Sequence, residues 1–224
     1  TELKFSLDNF DHRFDDFRFE GAVLTVDLLI GSEALRVGKF IVDEIPKKLT
    51  ILSISALDYM AKFDKPVAGT SIGGVTLAEL LNQVCTACGV TLYTQSFLNS
   101  TYTAPVITDL SDLSYRQIVS WIAELSGNNA WIDSNGELRL SWYGENQGTS
   151  TIEIAPSVRR EFELDENAIT LTGIVFRNGD TETVFGTNDY ALVVEGNSLL
   201  NPVDAASILG AVQSKITGFS YRPF

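Results

Sequence analysis

Hydrophobic positions along the chain change period several times. Residues 21–31 (GAVLTVDLLIG) alternate apolar with polar and then run apolar, residues 35–44 (LRVGKFIVDE) follow a Gly-Ser turn, and residues 49–57 (LTILSISAL) alternate again. Three strands in sequence predict a small antiparallel meander or barrel. Ahead of them Phe5, Phe10, Phe14, Phe17 and Phe19 are interleaved with Asp8, Asp11, Arg13, Asp15 and Asp16, a pattern that predicts an edge strand and loop packed on that barrel. The aspartates lack the regular spacing, central glycine and closing glutamate of an EF-hand loop.

After Leu57 the period becomes helical. Residues 58–63 (DYMAKF) read as a short helix, and residues 66–74 (PVAGTSIGG) as a connector. Thr76 and Glu79 then form a capping box ahead of Leu77, Leu80, Leu81, Val84, Cys85 and Cys88, with Gly89 as the stop. A second helix starts at Ser114, with Gln117 closing another box, and carries Tyr115, Ile118, Val119, Ile122 and Leu125 on one face before Gly127. Residues 90–97 predict a strand between these helices. Residues 130–142 (AWIDSNGELRLSW) predict a hairpin turning at Ser134-Asn135-Gly136, with Asp133 as a turn residue.

Residues 144–151 (GENQGTST) form a polar joint, after which strand patterns return at 152–154, 160–164, 169–177, 181–185 and 190–194. Asn201 as cap and Pro202 at the first helical position predict a last helix through Ala205, Ile208, Leu209, Val212 and Ile216, ended by Gly218. The pattern is α+β and β-rich. It divides into a first β region (1–57), an α/β domain (58–148) and a second β-rich region with a carboxy-terminal helix (149–224).

Composition supports a folded protein: 45% of residues are hydrophobic, 20% charged, and the mean hydropathy is +0.10. No apolar run approaches the ~20 residues that cross a bilayer, and Thr1-Glu2-Leu3-Lys4 does not open a secretory leader, so neither membrane insertion nor a cleaved signal is expected. The start at Thr1 and the strand-prone close at residues 219–224 (FSYRPF) both read as cuts from a longer protein. A net charge of −13 repels phosphate backbones, and the only adjacent basic pairs are Lys47-Lys48 and Arg159-Arg160. Sequence-specific nucleic-acid binding is therefore not expected.

Candidate chemistry is sparse. Cys85 and Cys88 have a Cys-x-x-Cys spacing, but they fall at a helix carboxy-terminus, whose partial negative charge disfavours a thiolate. A structural zinc site needs about four Cys or His ligands, and His12 is the only histidine. Both cysteines are expected to be buried, reduced and metal-free. One histidine also leaves few routes to a nucleophile–base pair or a catalytic metal. Paired carboxylates stay formally open, and Trp121, Trp131 and Trp142 could stack on sugars, although mutual packing accounts for them as well. No catalytic, cofactor-binding or metal-ligating residue is assigned.

Several segments in order resemble the tail hub proteins of phages and prophages, a group that includes the late control protein D and prophage tail-endopeptidase-like families. They are GAVLTVDLLIG, VGKFIVDE, ISALDYMAKFD, VCTACGV, SYRQIVSWIAELSG, NAWIDSNGELRLSW and KITGFSYRP, and they cover nearly the whole chain. The resemblance implies two related small antiparallel β-barrel domains with an inserted α/β domain. It implies a homotrimer of the full-length protein, whose ring of quasi-sixfold symmetry joins the tail tube to distal tail, spike or tip proteins, with DNA passing through the centre. The implied location is the virion tail, reached from the host cytoplasm during assembly, and the implied role is structural, with no cofactor. Family members continue past a segment like FSYRP, so the second barrel would be incomplete here. The alternatives are a tail-associated peptidoglycan hydrolase and a module that binds host-surface carbohydrate.

Overall fold

The computed structural model of the chain describes residues 1–44, 50–143 and 169–221. Its first unit is a four-stranded antiparallel sheet of β1 (Glu2–Asp8), β2 (Val23–Ile30), β3 (Glu33–Glu44) and β4 (Ile51–Asp58), in the order β1-β4-β3-β2. The alternation seen in sequence places Phe40, Val42, Ile54 and Ala56 on one buried face, joined by Leu3, Phe5, Leu7, Leu24 and Val26. Phe14, Phe17 and Phe19 gather beside it with ring centroids 5.7 to 6.1 Å apart. Phe19 packs onto the sheet's core, and Phe10 stays exposed.

Among the described residues this sheet does not close. β1 and β2 are its two edges, and four strands are too few to wrap side chains, which small barrels do with about five to eight. The expected small barrel is thus an open sheet.

The middle stretch forms a 3-10 helix (Tyr59–Asp64), α1 (Leu77–Cys88), β5 (Thr91–Leu92), α2 (Tyr115–Leu125), β6 (Asn129–Ile132) and β7 (Glu137–Ser141). The capping box at Thr76 and Glu79 is made in both directions, and Gly89 ends α1 in the left-handed region at φ 63. At α2 only half of the second box forms: Ser114 accepts from the Gln117 amide. The strand predicted over 90–97 contracts to β5, which pairs parallel to β7 over two residues. The connector at 66–74 is tied down. Pro66 bridges Ser114 and Ile72 bridges Ile107, and at Gly73 (φ +96) a Cβ would lie 2.1 Å from the Pro105 carbonyl oxygen, so only glycine fits.

The last part contains β8 (Ile169–Thr170), β9 (Gly173–Asn178), β10 (Thr181–Gly186), β11 (Ala191–Glu195), α3 (Ala205–Ile216) and β12 (Ser220–Tyr221). The strand predicted over 169–177 is two strands in different sheets. β8 pairs with β12, whereas β9 lies between antiparallel β10 and parallel β11. Helix α3 starts three residues later than the Asn201-Pro202 signal suggests: Asn201 does accept from the Val203 amide, but residues 202–204 form a turn ahead of the helix. The patterns at 152–154 and 160–164, the joint at 144–151 and both basic pairs lie outside the described residues.

One hydrophobic core takes in Phe63, α1, α2, β7, β9 and α3. Polar bridges reinforce it: Asn99 donates to the carbonyls of Leu125 and Ile208 at 2.7 and 3.2 Å, and Lys215 donates to Asn128 at 2.5 Å. The chain is α+β and β-rich, with largely antiparallel sheets and a few helices.

Candidate functional site

The helical period of α1 puts both cysteines into the core, Cys85 at 1% and Cys88 at 3% exposure, and both are free thiols. Burial, helped by the neighbouring Cys88, pushes the Cys85 thiol up to about 12. Burial also raises Cys88, against a smaller opposing pull from Lys65 and Lys62. Neither sulfur is a ready nucleophile or ligand. A thiol reagent such as DTNB should therefore label neither cysteine in minutes on the native protein and both after denaturation, with zinc absent by elemental analysis; rapid native labelling or stoichiometric zinc would contradict this.

His12 sits at φ 58 on the exposed aromatic loop, its Nδ1 3.0 Å from Asp15 Oδ2. Among the described residues no group of three or more His, Cys, Asp and Glu side chains is placed to hold a metal ion. The three tryptophans do not pack on one another as expected. Trp121 lies against the main core, Trp131 donates to Ser141 Oγ at 2.9 Å, and Trp142 meets Tyr143 and Phe219 at 5.2 Å each.

Beside that aromatic group is a pocket of about 650 Å³, with Leu171, Ile174, Val194 and Val212 in its wall and Glu124 at its polar end. Burial pushes the Glu124 carboxyl above its ordinary value, partly offset by a 2.6 Å hydrogen bond from Asn197. Glu124 is the only carboxylate among the described lining residues, where glycoside hydrolysis uses a pair.

The most unusual surface is the far end of the β2–β3 hairpin. Pairing between β3 and β4 covers Phe40–Glu44 only, so among the described residues the first half of β3 has β2 as its sole strand neighbour. Every residue from Asp27 to Val37 is exposed. These include Leu28, Leu29 at 73%, Ile30 at 61%, Leu35 at 60% and Val37. The Gly31-Ser32 turn, with Gly31 at φ 63, folds the two strands together, and Asp27 pairs with Arg36 across them.

The sequence matches no family model and no curated protein. Solved structures do match. The tail protein from Neisseria meningitidis MC58 aligns over 96% of this chain and 65% of its own, with a TM-score of 0.56 and 14% identity. The 43 kDa tail protein of prophage MuSo2 from Shewanella oneidensis aligns over 92% of this chain and 66% of its own, with a TM-score of 0.51 and 15% identity. The fold is one found in tail proteins. At this identity it is the fold that is shared, and the chain spans about two thirds of the length of each.

Asp133 is the turn residue the sequence indicates, and two features of the fold go beyond what the patterns show. One is the Asp133 network: the carboxylate accepts from the amides of Asn135 and Glu137 and from Arg139 Nε, at 2.9, 3.0 and 2.7 Å. Arg139 in turn lies 3.4 Å from the Tyr93 ring centroid. The other is the exposure of the hairpin arm. Its signal was the run Leu28-Leu29-Ile30, where alternation fails and both faces of a strand become apolar.

Proposed function

We propose that this chain is a structural component of a phage or prophage tail, the amino-terminal part of a baseplate or tail-tip hub that joins the tail tube to the spike or tip around the DNA channel. The observation that carries the reading is fold likeness along almost the whole chain to two tail proteins. In this reading residues 58–148 are an insert between two β regions. The full-length protein forms a homotrimer in contact with tube, distal tail and spike proteins.

Charge fits the role. A net −13 gives a wall that repels phosphates, and DNA that must slide through a channel is best served by a surface that does not hold it. The buried cysteines and the scattered carboxylates suit a scaffold better than a hydrolase. An antibody raised against this chain should decorate one end of purified tail particles, where tube meets tip. Labelling along the tube, or none, would overturn the assignment.

A further inference from the structure

We propose that Asn178 is a site of spontaneous deamidation, where the side-chain amide is lost to attack by the next backbone nitrogen and the β9–β10 turn gains an acidic residue. The chain holds two Asn-Gly steps, Asn135-Gly136 and Asn178-Gly179, and each lies at a hairpin turn. Glycine carries no Cβ to crowd its own nitrogen, so an asparagine before it closes a cyclic imide more readily than one before any other residue. The fold treats the two steps differently. At the β6–β7 turn the Gly136 amide donates to the Asp133 carbonyl at 2.9 Å, Gly136 is buried, and a Cβ on it would lie 3.0 Å from the Tyr59 ring. That nitrogen is shielded from base and cannot swing toward the Asn135 side chain without breaking the turn.

At the β9–β10 turn Thr181 pairs with Asn178, which leaves Gly179 and Asp180 as a two-residue loop with Gly179 at φ 58. Asn178, Gly179 and Asp180 are all exposed. Among the described residues neither the Gly179 amide nor the Asn178 side chain has a hydrogen-bond partner, and nothing lies within 4 Å of where a Gly179 Cβ would be. The Gly179 nitrogen, on giving its proton to solvent base, bonds to Asn178 Cγ; the Cγ–Nδ2 bond breaks, and the nitrogen takes up a proton and leaves as ammonia. Water then opens the imide. Opening at Cγ leaves aspartate in the original backbone, and opening at the backbone carbonyl carbon leaves isoaspartate, with the chain routed through the former side chain. Either product adds one negative charge to the net −13, on a turn where Asp180 and Glu182 are already acidic. None of this depends on the hub reading.

The test is peptide mapping by mass spectrometry of the protein held for weeks in mildly alkaline buffer, beside the same protein held in urea. The native protein should lose the Asn178 amide about tenfold faster than the Asn135 amide, or more, the factor expected when reaction must first break a buried turn hydrogen bond. In urea the two steps should react at similar rates, because the turn that protects Asn135 is gone. Asn178→Gln, whose longer side chain closes a ring more slowly and which leaves the turn backbone unchanged, should remove the acidic species that build up on ion exchange. Gly179→Ala should slow the loss at Asn178 by crowding the attacking nitrogen. Equal native rates at the two steps, or a faster loss at Asn135, would overturn the proposal. So would an Asn178 amide that persists in the native protein while it is lost in urea, the result expected if another part of the protein covers the turn.

Discussion

Replacing Asp133 by alanine is expected to destabilise the fold by about 3 kcal/mol at neutral pH, with Asp133→Asn costing about half as much. The carboxylate is 6% exposed and holds two backbone amides of its own hairpin turn as well as Arg139. Alanine leaves those amides short of an acceptor at the point where the chain must turn, and frees Arg139 from its partner. Asparagine keeps one acceptor oxygen and loses the charge. Burial alone would raise the Asp133 carboxyl, but the Glu137 amide, Arg139 and the Asn135 amide outweigh it and hold it below the ordinary carboxylate range. A depressed folded-state value stabilises the protein above the unfolded value, and that stability is lost as pH falls through the folded value. The gap between wild type and Asp133→Asn in urea melts should therefore be full at pH 7 and close below about pH 4. A gap that stayed constant down to pH 3 would show that the charge is not what matters.

Leu209→Ala is expected to cost a further 2 to 5 kcal/mol, that is, about the range for a leucine removed from a sealed core. Leu209 is fully buried in α3, and its cluster includes α1, α2 and β7 from the middle stretch. The informative readout is tryptophan fluorescence, because Trp121, Trp131 and Trp142 all lie in that middle stretch. If one core serves both parts, the fluorescence midpoint in urea moves with the global one measured by circular dichroism. A fluorescence midpoint that did not move would mean that the middle stretch holds itself together without α3.

Local signals are legible in the sequence. The Thr76–Glu79 box and Gly89 bound α1, and the Asn135-Gly136 turn sets the β6–β7 register. What failed was non-local. Nothing within 169–177 shows that Leu171 and Thr172 leave one sheet for another, since their amides pair with Phe219 and Tyr190, far along the chain. Barrel closure is likewise a property of which edges meet, and strand patterns do not encode edges. At α3 the Asn201-Pro202 cap signal opens a turn that leads into the helix, and the Asn201 amide also donates to the Tyr102 hydroxyl of a distant loop, a contact no local pattern shows. The hairpin is visible as a break in alternation, yet only the pairing of β3 with β4 shows that, among the described residues, its far end runs beyond the sheet. The candidate site is thus a surface, and surfaces are the part of a fold that local patterns describe least.

The central claim is that the full-length protein builds a closed ring in which each protomer offers complementary faces. This chain spans about two thirds of the tail proteins it matches, and a stable interface buries roughly 1,200 to 2,000 Å² in total. In each copy this chain contributes a net charge of −13, and repulsion between like-charged rims is screened by salt over about 8 Å at physiological ionic strength. Multi-angle light scattering of the full-length protein at micromolar concentration, in low and in high salt, tests the claim most directly. The proposed hub role predicts a trimer that salt strengthens; a full-length protein that is monomeric in both buffers would contradict it.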